Sequence, residues 1–138
     1  MRPTPEQLAA VPLFESLSPD ELQAVASVTK LRNEDAGARL VGEGAPGYSL
    51  FVLQEGTAMV TSGGETVTTL GPGDFFGEIA LLGEGLRTAT VTASSPVSLI
   101  VMFGSDFRVI ERDFPGASAV MKQAMADRLE RTRAADSS

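Results

Sequence analysis

The sequence has no cysteine and no histidine. The first absence excludes a disulfide framework and thiolate chemistry. The second removes the commonest general base and the commonest metal ligand. Positive charge is scarce: 11 Lys and Arg stand against 18 Asp and Glu, and the resulting net charge of −7 disfavours general nucleic-acid binding. An anionic ligand must then be drawn by a local field, because the global one repels it. No stretch has the form of a signal peptide, and no apolar run approaches membrane-spanning length. A soluble, cytoplasmic protein without membrane contact is expected. There is no serine–histidine pairing, no Walker glycine–lysine loop and no metal cluster. The adjacent carboxylates Glu34 and Asp35 are ordinary for a loop. The Gly-x-Gly pairs lie in turns rather than at a strand-to-helix step, which makes a dinucleotide-binding reading weak. No enzymatic activity and no cofactor are expected.

What is present suits one folded domain. The chain has 138 residues, and its hydrophobic fraction of 43% is too high for a disordered chain. Thr4 followed by Pro5 opens a first helix, and Val11-Pro12-Leu13-Phe14 is an apolar link. Ser18-Pro19-Asp20-Glu21 is a capping box, with Leu22, Val25, Ala26 and Thr29 following at helical spacing. From residue 31 to 103 the texture changes to short β-rich runs separated by turn signals. Leu50-Phe51-Val52-Leu53 ends at Glu55-Gly56, and residues 57–61 end at Gly63-Gly64, a strong hairpin signal. Residues 65–70 end at Gly71-Pro72-Gly73, and residues 97–102 form the last run. Such spacing suggests an antiparallel barrel or sandwich. Ser105 is placed to cap a short helix carrying Phe107 and Ile110, which Phe114-Pro115 breaks. Ala119, Val120, Met121, Ala124, Met125 and Leu129 then recur at helical spacing. That helix is locally basic through Lys122, Arg128, Arg131 and Arg133, as a solvated face would be, and a frayed tail is expected from Ala134.

The stretch 71–93, GPGDFFGEIALLGEGLRTATVTA, combines a turn, a short helical segment opened by Gly77, a glycine-bearing loop and an alternating strand. A glycine that opens a helix leaves backbone N–H groups free to face an anion. Arg87 adds a planar cationic fork suited to phosphate oxygens. Glu78 accepts hydrogen bonds from hydroxyls but repels a phosphate at contact range. An anion with neighbouring hydroxyls, such as a nucleotide or sugar phosphate, satisfies all three. An exposed Glu78–Arg87 salt bridge is the alternative that spacing alone leaves open.

FGEIALL followed by LRTATV closely resembles the phosphate-binding cassette of the cyclic nucleotide-binding domain family, which includes the catabolite activator protein and the regulatory subunits of cyclic-nucleotide-dependent kinases. Gly77, Glu78, Ile79, Ala80, Leu81, Arg87, Thr88 and Ala89 match the family's pattern; Leu86 stands where the family usually has proline. The resemblance implies a mainly β fold, a jelly-roll-like antiparallel β-barrel with flanking helices: N-terminal helices over 1–30, the barrel over 31–103 with the cassette at 73–90, and C-terminal helices over 104–133. It implies a ligand-binding set of Phe76, Gly77, Glu78, Ile79, Ala80, Arg87, Thr88 and Ala89. Arg87 and backbone N–H groups near Ile79 and Ala80 would take the cyclic phosphate, Glu78 the ribose 2′-hydroxyl, and Gly77 would allow close approach. Thr88 would add a hydroxyl or serve merely as a β-former. Met121 and Met125 are candidates to cap the base, with ordinary core packing as the alternative. The expected function is a sensor of cAMP or cGMP that signals through its C-terminal helix to an effector protein or domain. Two rivals stand beside it. One is a degenerate, non-binding barrel acting in protein interaction. The other is the sensor fragment of a catabolite-activator-type regulator, whose DNA-binding domain would begin about where this chain ends.

Overall fold

The computed structural model describes residues 2–42, 49–76 and 89–136, and side chains through Asp127. Its N-terminal elements form where capping chemistry places them. Helix α1 (Pro5–Ala9) carries proline in its first turn, and Thr4 and Gln7 satisfy each other's backbone N–H at 3.1 and 2.8 Å. A 3₁₀ turn (Pro12–Phe14) follows, then α2 (Pro19–Val28), closed by the Ser18–Glu21 box at 3.2 and 2.8 Å. Thr29 ends α2 rather than extending it. Its backbone is extended, and its buried hydroxyl donates to the Val25 carbonyl at 2.9 Å.

Eight strands follow among the described residues: β1 (Lys30–Glu34), β2 (Arg39–Val41), β3 (Ser49–Glu55), β4 (Ala58–Ser62), β5 (Glu65–Leu70), β6 (Phe75–Phe76), β7 (Thr90–Ala93) and β8 (Val97–Phe103). They pair antiparallel in two sheets, ordered β1-β8-β3-β6 and β2-β7-β4-β5, which face each other as a jelly roll. The β4–β5 hairpin turns on Gly63 and Gly64, at φ +60° and +85°, the left-handed pair a tight two-residue hairpin requires.

The apolar run of β3 serves two cores at once. Successive strand residues point to opposite faces. Phe51 and Leu53 therefore fill the space between the sheets, while Leu50 and Val52 face the helices. On β8 the same alternation sends Val97, Leu99 and Val101 inward and Ile100 and Met102 outward. Full burial of each such side chain contributes about 1.5–3 kcal/mol. The outward set is covered by Leu8, Phe14, Val25 and the C-terminal helices α3 (Gly104–Asp113) and α4 (Pro115–Asp136).

Two details of these helices differ from the sequence reading. Ser105 does not cap α3: the helix begins at Gly104, and the Asp106 carboxylate accepts the Phe103 N–H at 3.3 Å. An acidic side chain three residues past the cap does the work there. Helix α4 continues to Asp136, through two alanines that favour the helix intrinsically.

The barrel's two ends are built differently. At one end the connections are short turns laced together by hydrogen bonds. Gly37 N–H donates to Ala93 O at 2.7 Å, Ser94 N–H to Thr57 O at 3.0 Å, and Gly73 N–H to Leu53 O at 2.7 Å. The Ser95 hydroxyl accepts the Thr57 N–H at 3.0 Å. At the centre of this lacing is Gly56, at φ +90°, where an added Cβ would lie 2.2 Å from the Pro96 carbonyl oxygen. Gly37 has a similar φ of +91° but open space around it.

Gly37→Ala should therefore cost only the left-handed strain, about 1–2 kcal/mol. Gly56→Ala adds a backbone clash and should destabilise by clearly more than Gly37→Ala in urea unfolding. Equal losses would mean that the 94–96 turn yields freely.

Candidate ligand-binding site

The opposite end of the barrel gathers the loose ends of the strands. β2 leaves it at Val41 and β3 enters at Ser49; β6 leaves it at Phe76 and β7 enters at Thr90. Pairing of Val41 with Val91 and of Phe51 with Phe76 puts all four at the same end. The two longest connections, 42–48 and 77–89, thus spring from one mouth. The expected ligand residues Gly77, Glu78, Ile79, Ala80, Arg87 and Thr88 lie outside the described residues. Phe76 and Ala89, which bracket them, are described. Phe76 is 4% exposed, with its ring stacked on Phe51 at a centroid distance of 5.1 Å and 12° between planes. Such a pair adds about 0.5–1.5 kcal/mol beyond its burial. It moors the start of the 77–88 segment to β3. Ala89 is half-buried, one residue before β7.

The inward face of the β2-β7-β4-β5 sheet is buried at the laced end and becomes accessible along β4 and β5 toward the mouth. One row of directly paired residues, Ala93, Ala58 and Leu70, is buried throughout. The next row is Val41, Val91, Val60 and Thr68. Directly paired residues share a face. Along this row Val91 is buried, Val60 half-buried and Thr68 exposed. The inward face of the β4–β5 hairpin is therefore accessible, apolar at Val60 and hydroxyl-bearing at Thr68.

Neither Val60 nor Thr68 is singled out by the sequence reading. A tight Gly63-Gly64 hairpin in unbroken register would place Val67 opposite Val60. A register shift between Val60 and Thr61 makes Val67 the extra residue of a bulge. Val67 is accordingly 52% exposed, and Thr68 takes the inward position. The alternation of Ala58 with Val60 and of Leu70 with Thr68 is the signal that carries this assignment.

Met121 and Met125 are placed elsewhere. Both are 0% exposed, in the cluster of Leu8, Phe14, Leu50, Phe107 and Ile110 on the helix-covered face of β3 and β8. The barrel interior lies on the other face of those strands. In this arrangement the two methionines are packed in the core, the alternative that the sequence left open. A second concavity, about 320 Å³, lies at the laced end between Asn33, Glu34, Asp35, Glu55, Val97 and Ser98. Glu34 there is paired with Arg32 at 2.5 Å, and no group of carboxylates among the described residues is placed to hold a metal ion. No helix among them is long and apolar enough to cross a membrane.

Comparison with known proteins agrees with this geometry. The family model described as "Cyclic nucleotide-binding domain" matches residues 31–113. The chain is 36% identical over 121 residues to a cyclic nucleotide-gated potassium channel of Mesorhizobium japonicum, covering 88% of this chain and 34% of the channel. It is 35% identical over 103 residues to the cAMP-dependent protein kinase regulatory subunit of Colletotrichum orbiculare, covering 73% of this chain and 26% of that protein. The chain thus spans about a third or less of these curated relatives. Among solved structures, the catabolite activator protein of Thermus thermophilus superposes with a TM-score of 0.78 at 30% identity, over 88% of this chain and 60% of that one. A match covering most of the barrel and α3, on a jelly roll whose 77–88 connection carries the cassette residues, leaves one assignment: the chain belongs to the cyclic nucleotide-binding domain family.

Proposed function

We propose that the chain is a cyclic-nucleotide sensor that takes cAMP, with cGMP as its second ligand. The observation that carries this reading is the shared mouth: the connection bearing Glu78 and Arg87 springs from the barrel end where Val60 and Thr68 leave an uncharged inner wall. A cyclic nucleotide needs these two environments side by side, a charged one for the phosphate and an apolar one for the base. Arg87, the sole cationic residue of the 73–90 cassette, takes the exocyclic phosphate oxygens. Backbone N–H groups near Ile79 and Ala80 share that phosphate, Gly77 admits the sugar at close range, and Glu78 accepts the ribose 2′-hydroxyl. Thr68, with Thr88, offers a hydroxyl to the base. The cAMP-dependent kinase subunit among the relatives supports cAMP as the preferred ligand. A single neutral hydrogen bond is worth about 0.5–1.5 kcal/mol, so Thr68 or Thr88 alone separates the two nucleotides by no more than roughly ten-fold.

The output proposed is through the C-terminal helices to an effector protein or domain. β8 ends and α3 begins at the mouth, at Phe103 and Gly104, so a ligand there adjoins the root of α3. A ligand shifts these helices only as far as it binds one of their positions better than another.

Calorimetric titration with cAMP and with cGMP tests the reading: both should bind, cAMP more tightly. Absence of binding by either would leave the non-binding interaction barrel as the better account. Arg87→Ala leaves a phosphate partly unpaired, which costs on the order of 2–5 kcal/mol, so affinity should fall by roughly thirty-fold or more. The unfolding temperature without ligand should barely move.

Glu78→Gln should weaken cAMP binding and weaken 2′-deoxy-cAMP binding much less. The protein and ligand changes form a cycle, and strictly additive losses would remove Glu78 from the 2′-hydroxyl. Thr68→Val keeps the shape of the wall and removes its hydroxyl. The cAMP-to-cGMP affinity ratio should change by up to about ten-fold, whereas an unchanged ratio would free Thr68 of any contact with the base.

A further inference from the structure

We propose that Met59 is a reversible oxidation site, which takes one oxygen atom from a peroxide-class oxidant and gives it up to a dithiol reductase. The chain has no cysteine, histidine or tryptophan, so thioether sulfur is the side-chain group that a two-electron oxidant takes most readily. Met102, Met121 and Met125 are 1%, 0% and 0% exposed, packed beneath or within the helical layer. Met59 is 37% exposed, on β4. Among the described methionines, burial leaves this one sulfur open to a reagent in water.

The surroundings of Met59 set how it reacts. Ala58 and Val60 belong to the barrel core, so Met59 between them lies on the outer face of β4. Its direct partners on that face are Thr92 on β7 and Thr69 on β5, and the neighbouring row is Thr90, Thr61 and Thr66. The Thr66 hydroxyl donates to the Met59 sulfur at 3.5 Å. A thioether sulfur has two lone pairs and is a weak acceptor; Thr66 engages one of them and leaves the oxidant the other. That lone pair attacks one peroxide oxygen. The S–O bond forms as the O–O bond breaks, and the proton of the attacked oxygen passes through solvent to the departing hydroxide, which leaves as water. Sulfur is oxidised by two electrons and the peroxide reduced by two. In the return step the sulfoxide oxygen leaves as water with two protons, and the dithiol closes to a disulfide. Because one lone pair is held, the two sulfoxide epimers form unequally, and each epimer has its own class of reductase. The fold outlasts the change. The new polar atom at Met59 stands at the surface among hydroxyls, whereas one on Met102, Met121 or Met125 would sit in an apolar core. This chemistry belongs to the outer face of β4 and does not depend on which ligand the mouth takes.

Graded hydrogen peroxide treatment of the folded full chain, read by peptide mass mapping, tests the site. Met59 should gain one oxygen roughly ten-fold or more faster than Met102, Met121 and Met125, and at a similar rate to them once the chain is unfolded in urea. The chain oxidised at Met59 alone should keep its urea midpoint, and methionine sulfoxide reductase with a dithiol should restore the original mass. The two epimer-specific reductases, applied separately, should return fractions that differ by roughly two-fold or more. Thr66→Val keeps the shape of the side chain and removes its hydroxyl, and should bring those fractions toward equality. Oxidation of Met59 no faster than that of the buried methionines would overturn the proposal, as would loss of the fold on its oxidation or a sulfoxide that neither reductase returns. Equal epimers in the wild type, or a ratio that Thr66→Val leaves unmoved, would overturn the part given to the Thr66 hydroxyl.

Discussion

The fold rests on the two-sidedness of the β3–β8 pair. Both strands run at the centre of one sheet, and each is apolar on both faces. A strand with one buried face belongs to one core, whereas this pair belongs to two. Phe51, Leu53, Leu99 and Val101 close the barrel, and Leu50, Val52, Ile100 and Met102 carry the helices. Because side chains alternate strictly, a slip of one residue in either strand would exchange the two sets and ruin both cores. Barrel and helices are thereby locked to one register, and displacement on one face is felt one residue away on the other.

From that constraint follows the division of labour between the ends. The laced end ties its turns to one another by main-chain hydrogen bonds, and Gly56 is pressed against the Pro96 carbonyl. The other end carries the long connections, the accessible inner wall and the junction of β8 with α3. Binding residues on loops held by a rigid scaffold are the usual arrangement, and here the scaffold's stiffness is concentrated at the far end from the loops. The acidic character of the chain fits the same picture. A net charge of −7 gives an anion no general attraction, so attraction of one would have to be local.

The sequence by itself determined most of the features that depend on near neighbours. The caps at Thr4 and Ser18, the Gly63-Gly64 hairpin and the turn at Gly71-Pro72-Gly73 rest on chemistry within four residues of each position. The FGEIALL and LRTATV pattern is likewise local, and it was enough to indicate the family and the jelly roll. Only the tertiary structure decided what depends on residues far apart in the chain. The bulge at Val67 turns Thr68 into the barrel, although the hairpin turn alone would have sent Val67 there. The methionines of α4 have the spacing of a lid and of a core stripe alike; contact with Leu8, Phe14 and Leu50, from the other end of the chain, made them core. The start of α3 was misplaced for a smaller version of the same reason. Ser105 and Asp106 are both capping residues, and the choice between them was made by where β8 stops pairing with β3, at Phe103. Periodicity tells which residues share a face; which face meets what is a matter of long-range packing, and no local pattern encodes it.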